Sequence, residues 1–198
     1  MMRAALLLAV LSCAVPLQGQ LLSAVGMDTV RTHSDLQKAL QEPDKVLRLD
    51  LSSGKWRTLP EDVRRFTNLN ALVLDRNKLK DLPEWLAELQ YLQELSLHRN
   101  KLEDFPEVIC SLPHLKRLTM SRNALRGLPA CMGRLDQLVS LDLWSNELDE
   151  FPDELAGMTA LRFMDLRVIQ FTPPEVERIT ELLPWAKIHF SAPCNCGM

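Results

Sequence analysis

The sequence predicts an α/β solenoid, a curved parallel sheet on one side with short helical arms on the other. Three observations carry this. Leu69, Leu92, Leu115, Leu138 and Leu161 stand 23 residues apart without a slip. Each opens a common phrase, which in its clearest form reads Leu69-x-x-Leu72-x-Leu74-x-x-Asn77-x-Leu79-x-x-Leu82-Pro83. Within the phrase the apolar spacing changes from alternation to a helical pattern after the Leu-Pro step. A fixed period of this length marks stacked units, none of which is stable alone.

The elements follow in order along the phrase. Leu72-x-Leu74 alternates as a strand does, with every second side chain inward. Asn77, Asn100, Asn123 and Asn146 follow the strand at one constant place. An inward Asn there can donate to and accept from the backbone of adjoining turns, which buried backbone requires. Leu82-Pro83 starts the return, because proline presets φ and suits a helix start. Glu84 to Leu89 then reads as one to two turns of helix on the convex side. Neighbouring phrases repeat the scheme through Leu95 and Leu97, Leu118 and Met120, and Leu141 and Leu143, so a sheet of about six short strands is expected.

Two further units are degenerate. The first begins at Val46 and has Gly54 where Asn is expected; the last begins at Leu161 and has Ile169 there. Terminal repeats lack a neighbour on one side, so departures concentrate at the ends. Before them, Ser34 to Gln41 reads as a capping helix, with Ser34 and Gln37 forming a capping box. After them, Val176, Ile179 and Leu183 recur at helical spacing, and Ile188-His189-Phe190 alternates as a last strand. The expected organisation is a leader and linker at 1–26, an N-terminal cap at 27–45, repeats at 46–172, and a C-terminal cap and tail at 173–198.

The leader is different in kind. Met1-Met2-Arg3 precedes an apolar run, Ala4 to Leu11, of secretory-signal length. Small residues offer cleavage after Ala14 or within Ala24-Val25-Gly26, and Val10-Leu11-Ser12-Cys13 resembles a lipobox that would leave a lipid anchor at Cys13. The expected location is therefore outside the cytoplasm: periplasmic, cell-surface or secreted. No stretch reaches the roughly 18 apolar residues of a membrane-spanning helix.

Composition narrows the function. A net charge of −3 argues against nucleic acid as the partner. His33, His98, His114 and His189 are scattered, and no phosphate loop, zinc-protease motif or nucleophile elbow is present. Neither catalysis, a cofactor nor a metal is expected. Cys110 and Cys131 read as packed residues of adjacent arms, with a bridge open to them in an oxidising compartment. Cys194-x-Cys196 reads as a tail disulfide or two thiols, which leaves thiol-redox or metal handling as one alternative function.

Residues between the strand leucines face solvent on the concave side and are not dictated by packing. One column there reads Ser52, Asp75, His98, Ser121, Trp144, Arg167, and the next Ser53, Arg76, Arg99, Arg122, Ser145, Val168. The candidate ligand-binding residues are Arg76, His98, Arg99, Arg117, Arg122 and an exposed Trp144, since Trp and Arg dominate binding hot spots.

The phrases over residues 46–171 resemble the leucine-rich-repeat family, in its 23-residue class with a Leu-Pro turn. The leader, the run Leu182 to Phe190 and the Cys194-Asn195-Cys196 tail look like small exported leucine-rich-repeat proteins of Bacteroidetes-type bacteria. The resemblance implies a leucine-rich-repeat solenoid that binds a protein or peptide ligand. A structural or adhesive envelope lipoprotein is the other alternative.

Overall fold

The computed structural model describes residues 21–191. Residues 1–20, with the leader and Cys13, and the tail with Cys194 and Cys196 lie outside the described residues. The sheet has eight strands, all parallel and in chain order. They are β1 (Thr32–His33), β2 (Arg48–Asp50), β3 (Ala71–Val73), β4 (Glu94–Ser96), β5 (Arg117–Thr119), β6 (Ser140–Asp142), β7 (Phe163–Leu166) and β8 (Lys187–Phe190). The register follows the period, pairing Leu72 with Leu95, Leu95 with Leu118, and Leu118 with Leu141. Two strands exceed the six read from the repeats. β8 belongs to the C-terminal cap, and β1 pairs only Thr32 and His33 with β2.

The leucines of the phrase form one continuous core; Leu72, Leu74, Leu79, Leu86, Leu89 and Leu92 are all fully buried. Each such side chain contributes about 1.5–3 kcal/mol by leaving water. The convex arms are five-residue 3-10 helices at Glu61–Arg65, Glu84–Glu88, Glu107–Ser111, Ala130–Arg134 and Asp153–Gly157, each preceded by proline. So short a return cannot complete α-helical turns, and it closes with i→i+3 bonds such as Leu89 N–H to the Leu86 carbonyl at 3.1 Å. Two arms nearly touch. A Cβ on Gly133 would lie 2.1 Å from the Glu154 carbonyl oxygen, so only glycine fits.

Cys110 and Cys131 are not merely packed. They form a disulfide joining neighbouring arms, with their Cα atoms 5.8 Å apart. Their positions in the repeat differ by two residues, but both lie on tight 3-10 arms one stacking step apart, which brings them within bridging distance.

The caps cover the two ends. At the N-terminus α1 (Ala24–Thr29) is followed by α2 (Leu36–Ala39). The expected Ser34 cap is corrected here. Asp35 caps α2, accepting the Lys38 N–H at 3.1 Å, because a carboxylate is the stronger acceptor at a helix start. α1 begins upstream of the boundary expected at residue 27, and Ala24-Val25-Gly26, the later cleavage candidate, lies inside it. At the C-terminus α3 (Pro173–Leu182) seats Ile179 in the core, and Glu175 accepts from both the N–H and the hydroxyl of Thr172 at its start.

Candidate functional site

The inward asparagines set the geometry of the turn that ends each strand. Asn100 Nδ2 donates to the carbonyls of Leu74 (2.9 Å) and Leu97 (3.1 Å), and its Oδ1 accepts the Leu79 N–H at 3.1 Å. Asn77, Asn123 and Asn146 repeat this arrangement; Asn146 bonds Met120 and Leu143 carbonyls and the Leu125 N–H. Each amide thereby ties two repeats together.

The residue before each Asn pays a conformational cost. Arg76, Arg99 and Arg122 have φ of 55°, 60° and 55°, as do Ser53, Ser145 and Val168 at similar values. This left-handed backbone turns their N–H groups onto the next repeat, Arg99 N–H reaching the Ser121 carbonyl at 2.8 Å. The arginine column therefore lies in the turn beyond the strand, at the trailing end of the concave face, and all three side chains are exposed.

Beside it a network spans three repeats. His98 Nδ1 lies 2.9 Å from Ser121 Oγ, and Ser121 Oγ donates to Asp142 Oδ2 at 2.9 Å. A serine hydroxyl carries one proton and here gives it to Asp142, so His98 Nδ1–H is the donor to Ser121. Asp142 Oδ1 also takes the Trp144 N–H at 3.0 Å. These three residue types recur in hydrolases, but here the serine stands between the other two and is buried, only 2% exposed. Its proton cannot pass to the histidine, so the set positions side chains rather than activating a nucleophile.

Trp144 is half-buried rather than fully exposed, the correction to the sequence reading. Arg122, one repeat earlier, stacks over its ring with Cζ 4.6 Å from the centroid, which covers part of the indole. Arg117 belongs elsewhere. It opens β5, at the opposite end of that strand from Arg122, and pairs with Glu94, which also meets Arg48 at 3.4 Å. Farther along, Asp165 faces Arg167. Burial alone would raise the Asp165 carboxyl, but the side-chain and backbone hydrogen bonds of Arg167, together with its charge, hold it below the ordinary carboxylate value.

Sequence reasoning missed Ser121 and Asp142 as partners of His98 and Trp144. One signal existed: these four fall in two neighbouring columns of the 23-residue frame. Among the described residues no cluster of three or more His, Cys, Asp or Glu side chains could hold a metal ion. No helix of the described residues is long and apolar enough to cross a membrane.

A family model for a leucine-rich repeat region matches residues 42–183. The chain belongs to the leucine-rich-repeat family. A leucine-rich-repeat protein of Leptospira interrogans is similar in structure, with a TM-score of 0.66 and 33% identity over 82% of this chain and 46% of that one. The ectodomain of the Arabidopsis thaliana receptor kinase GASSHO1/SCHENGEN3, in complex with CASPARIAN STRIP INTEGRITY FACTOR 2, is similar with a TM-score of 0.59 and 30% identity over 73% of this chain. The chain spans less than half the length of the Leptospira protein and 18% of the plant ectodomain. No curated protein matches it. Leucine-rich-repeat solenoids generally serve protein–protein interaction.

Proposed function

We propose that this leucine-rich-repeat chain is a non-enzymatic binding module, exported from the cell, that takes a protein or peptide ligand at the trailing end of its concave face. One observation carries the reading: Arg122 is stacked on Trp144 and His98 is tied to Ser121 and Asp142, with the exposed Arg99 and Arg76 on the preceding repeats beside them. Side chains ordered in advance lose little entropy on binding, and an aromatic beside arginines suits an acidic or aromatic partner segment. The plant ectodomain with its bound factor is a precedent for such use of similar repeats. Export is supported by the leader-like sequence and by the Cys110–Cys131 disulfide, a bond that persists in oxidising compartments.

Immobilised protein and its Trp144→Ala, Arg99→Ala and Glu88→Ala variants, used to capture partners from the host's exported fraction and then compared by surface plasmon resonance, test the site. Trp144→Ala is expected to weaken binding by about 2 kcal/mol or more. Arg99→Ala is expected to slow association and reduce its salt dependence, as exposed charges mainly steer encounter. Glu88, on a convex arm and paired with Arg64, should be silent. Binding lost in Glu88→Ala and intact in Trp144→Ala would overturn the proposal. Export is tested by the mass of the protein recovered outside the cell. The residues up to a site between 14 and 20 should be missing, because Leu22 and α1 are built into the fold; an intact Met1 would refute a cleaved leader.

A further inference from the structure

The leading edge of the sheet, where the chain passes into each strand, carries a second groove away from the concave site. The residues just before β3, β4, β5 and β6 are Asn70, Gln93, Lys116 and Val139, stacked one repeat apart. Their side chains form a ladder: Gln93 Nε2 donates to Asn70 Oδ1 at 2.7 Å, and Lys116 Nζ donates to Gln93 Oε1 at 2.7 Å. The N-terminal segment is already docked on the first rungs. Leu22 N–H donates to Asn70 Oδ1 at 3.0 Å, and the Leu22 carbonyl accepts from Gln93 Nε2 at 3.1 Å. Both main-chain groups of one non-helical residue are thus read by side-chain amides, which is how a ladder of this kind holds a peptide backbone.

Past Leu22 the groove stays open, with a volume of about 390 Å³ between Leu22 and Met27 on one bank and Lys116, Arg117, Val139 and Ser140 on the other. Its surface is mostly apolar, and Val139 is 41% exposed. Its charge is positive. Among the described residues Lys116 meets a neutral amide and no carboxylate. Glu94 is engaged by Arg48 and Arg117 together. Arg162, just before β7, continues the edge on the following repeat. A depression beside the convex arms is acidic by contrast, lined by Asp104, Glu107, Asp149 and Glu150 with Arg126 among them. A net charge of −3 therefore conceals separate patches of both signs.

We propose that the leading-edge groove binds a peptide segment carrying an acidic side chain next to apolar ones. The apolar side chains cover Val139 beside the buried Met27, and the carboxylate takes the free donors of Lys116, continuing the path that Leu22 begins. The proposal stands independently of the concave site.

Fluorescence anisotropy with two short labelled peptides, one alternating Leu and Glu and the other Leu and Lys, tests it on the folded protein. The Leu-Glu peptide should bind at least about tenfold more tightly than the Leu-Lys peptide, and less tightly as salt is raised. Lys116→Glu should invert that preference. Val139→Asn should weaken Leu-Glu binding by about tenfold through loss of the apolar contact, with melting curves showing both variants folded. Trp144→Ala should leave it unchanged. Equal binding of the two peptides, or no response to Lys116→Glu, overturns the proposal. Loss of binding in Trp144→Ala would place the acidic peptide on the concave face instead. Sedimentation showing oligomers that Lys116→Glu disperses would make an acidic patch of a second copy the occupant, and would also overturn it.

Discussion

Asn100 and Arg99 are adjacent in the chain and opposite in role. Asn100 turns inward and satisfies three backbone groups belonging to two repeats. Arg99 turns outward on left-handed backbone, and among the described residues it contributes only its N–H to the stack. The contrast recurs at Asn77 and Arg76, and in part at Asn123 and Arg122, whose guanidinium covers Trp144. One side chain is held by the fold and the other is not, and the Cα atoms of the two are a single peptide unit apart.

The largest expected effect tests the inward half of this pair. Asn100→Ala orphans buried donors and acceptors at about 1–3 kcal/mol each, so urea unfolding should show a loss of about 3 kcal/mol or more. Arg99→Ala should stay within about 0.5 kcal/mol of wild type. Equal losses would mean that the arginine column is structural and would weaken its candidacy as a binding surface.

A second effect concerns charge on the concave face. The folded-state value of Asp165 lies below its unfolded one, so the contribution of its ion pair with Arg167 is fully present above the ordinary carboxylate range. It is lost as pH falls through the lowered folded value. Melting temperatures of wild type and Asp165→Asn should therefore differ most near neutrality and converge in acid. A gap that widens in acid would reverse the assignment.

The smallest effect sharpens the outward half. Val168 holds the left-handed position of the last repeat at φ 64° while 60% exposed, a poor conformation for a β-branched residue. Val168→Asn keeps the N–H bond to Ser191 Oγ and should stabilise the chain by about 1 kcal/mol in thermal melts. A neutral or destabilising result would show that the turn, and not the residue in it, sets the backbone energy.

Much of this fold was readable in one dimension because its contacts repeat at one interval. A side chain 23 residues away is always its stacked neighbour, so the pairing of Leu95 with Leu118 and the inward asparagines follow from spacing alone. The candidate site was readable only in part. Arg76, Arg99 and Arg122 align by column, but no glycine marks their left-handed turn, so the sequence places them on strands that end before they begin. Trp144 reads as exposed because nothing in the phrase says that Arg122 folds over it.

Periodicity thus decided the solenoid, the parallel register, the buried leucines and the inward asparagines, since each depends on an interval that the chain displays. Tertiary packing alone decided the Cys110–Cys131 bridge, the pairing of Arg117 with Glu94, the burial of Ser121 between His98 and Asp142, and the docking of Leu22 on Asn70 and Gln93. These contacts depend on where side chains point from backbone whose local turn is set by its neighbours, or join segments of unrelated pattern, and no spacing along the chain records either.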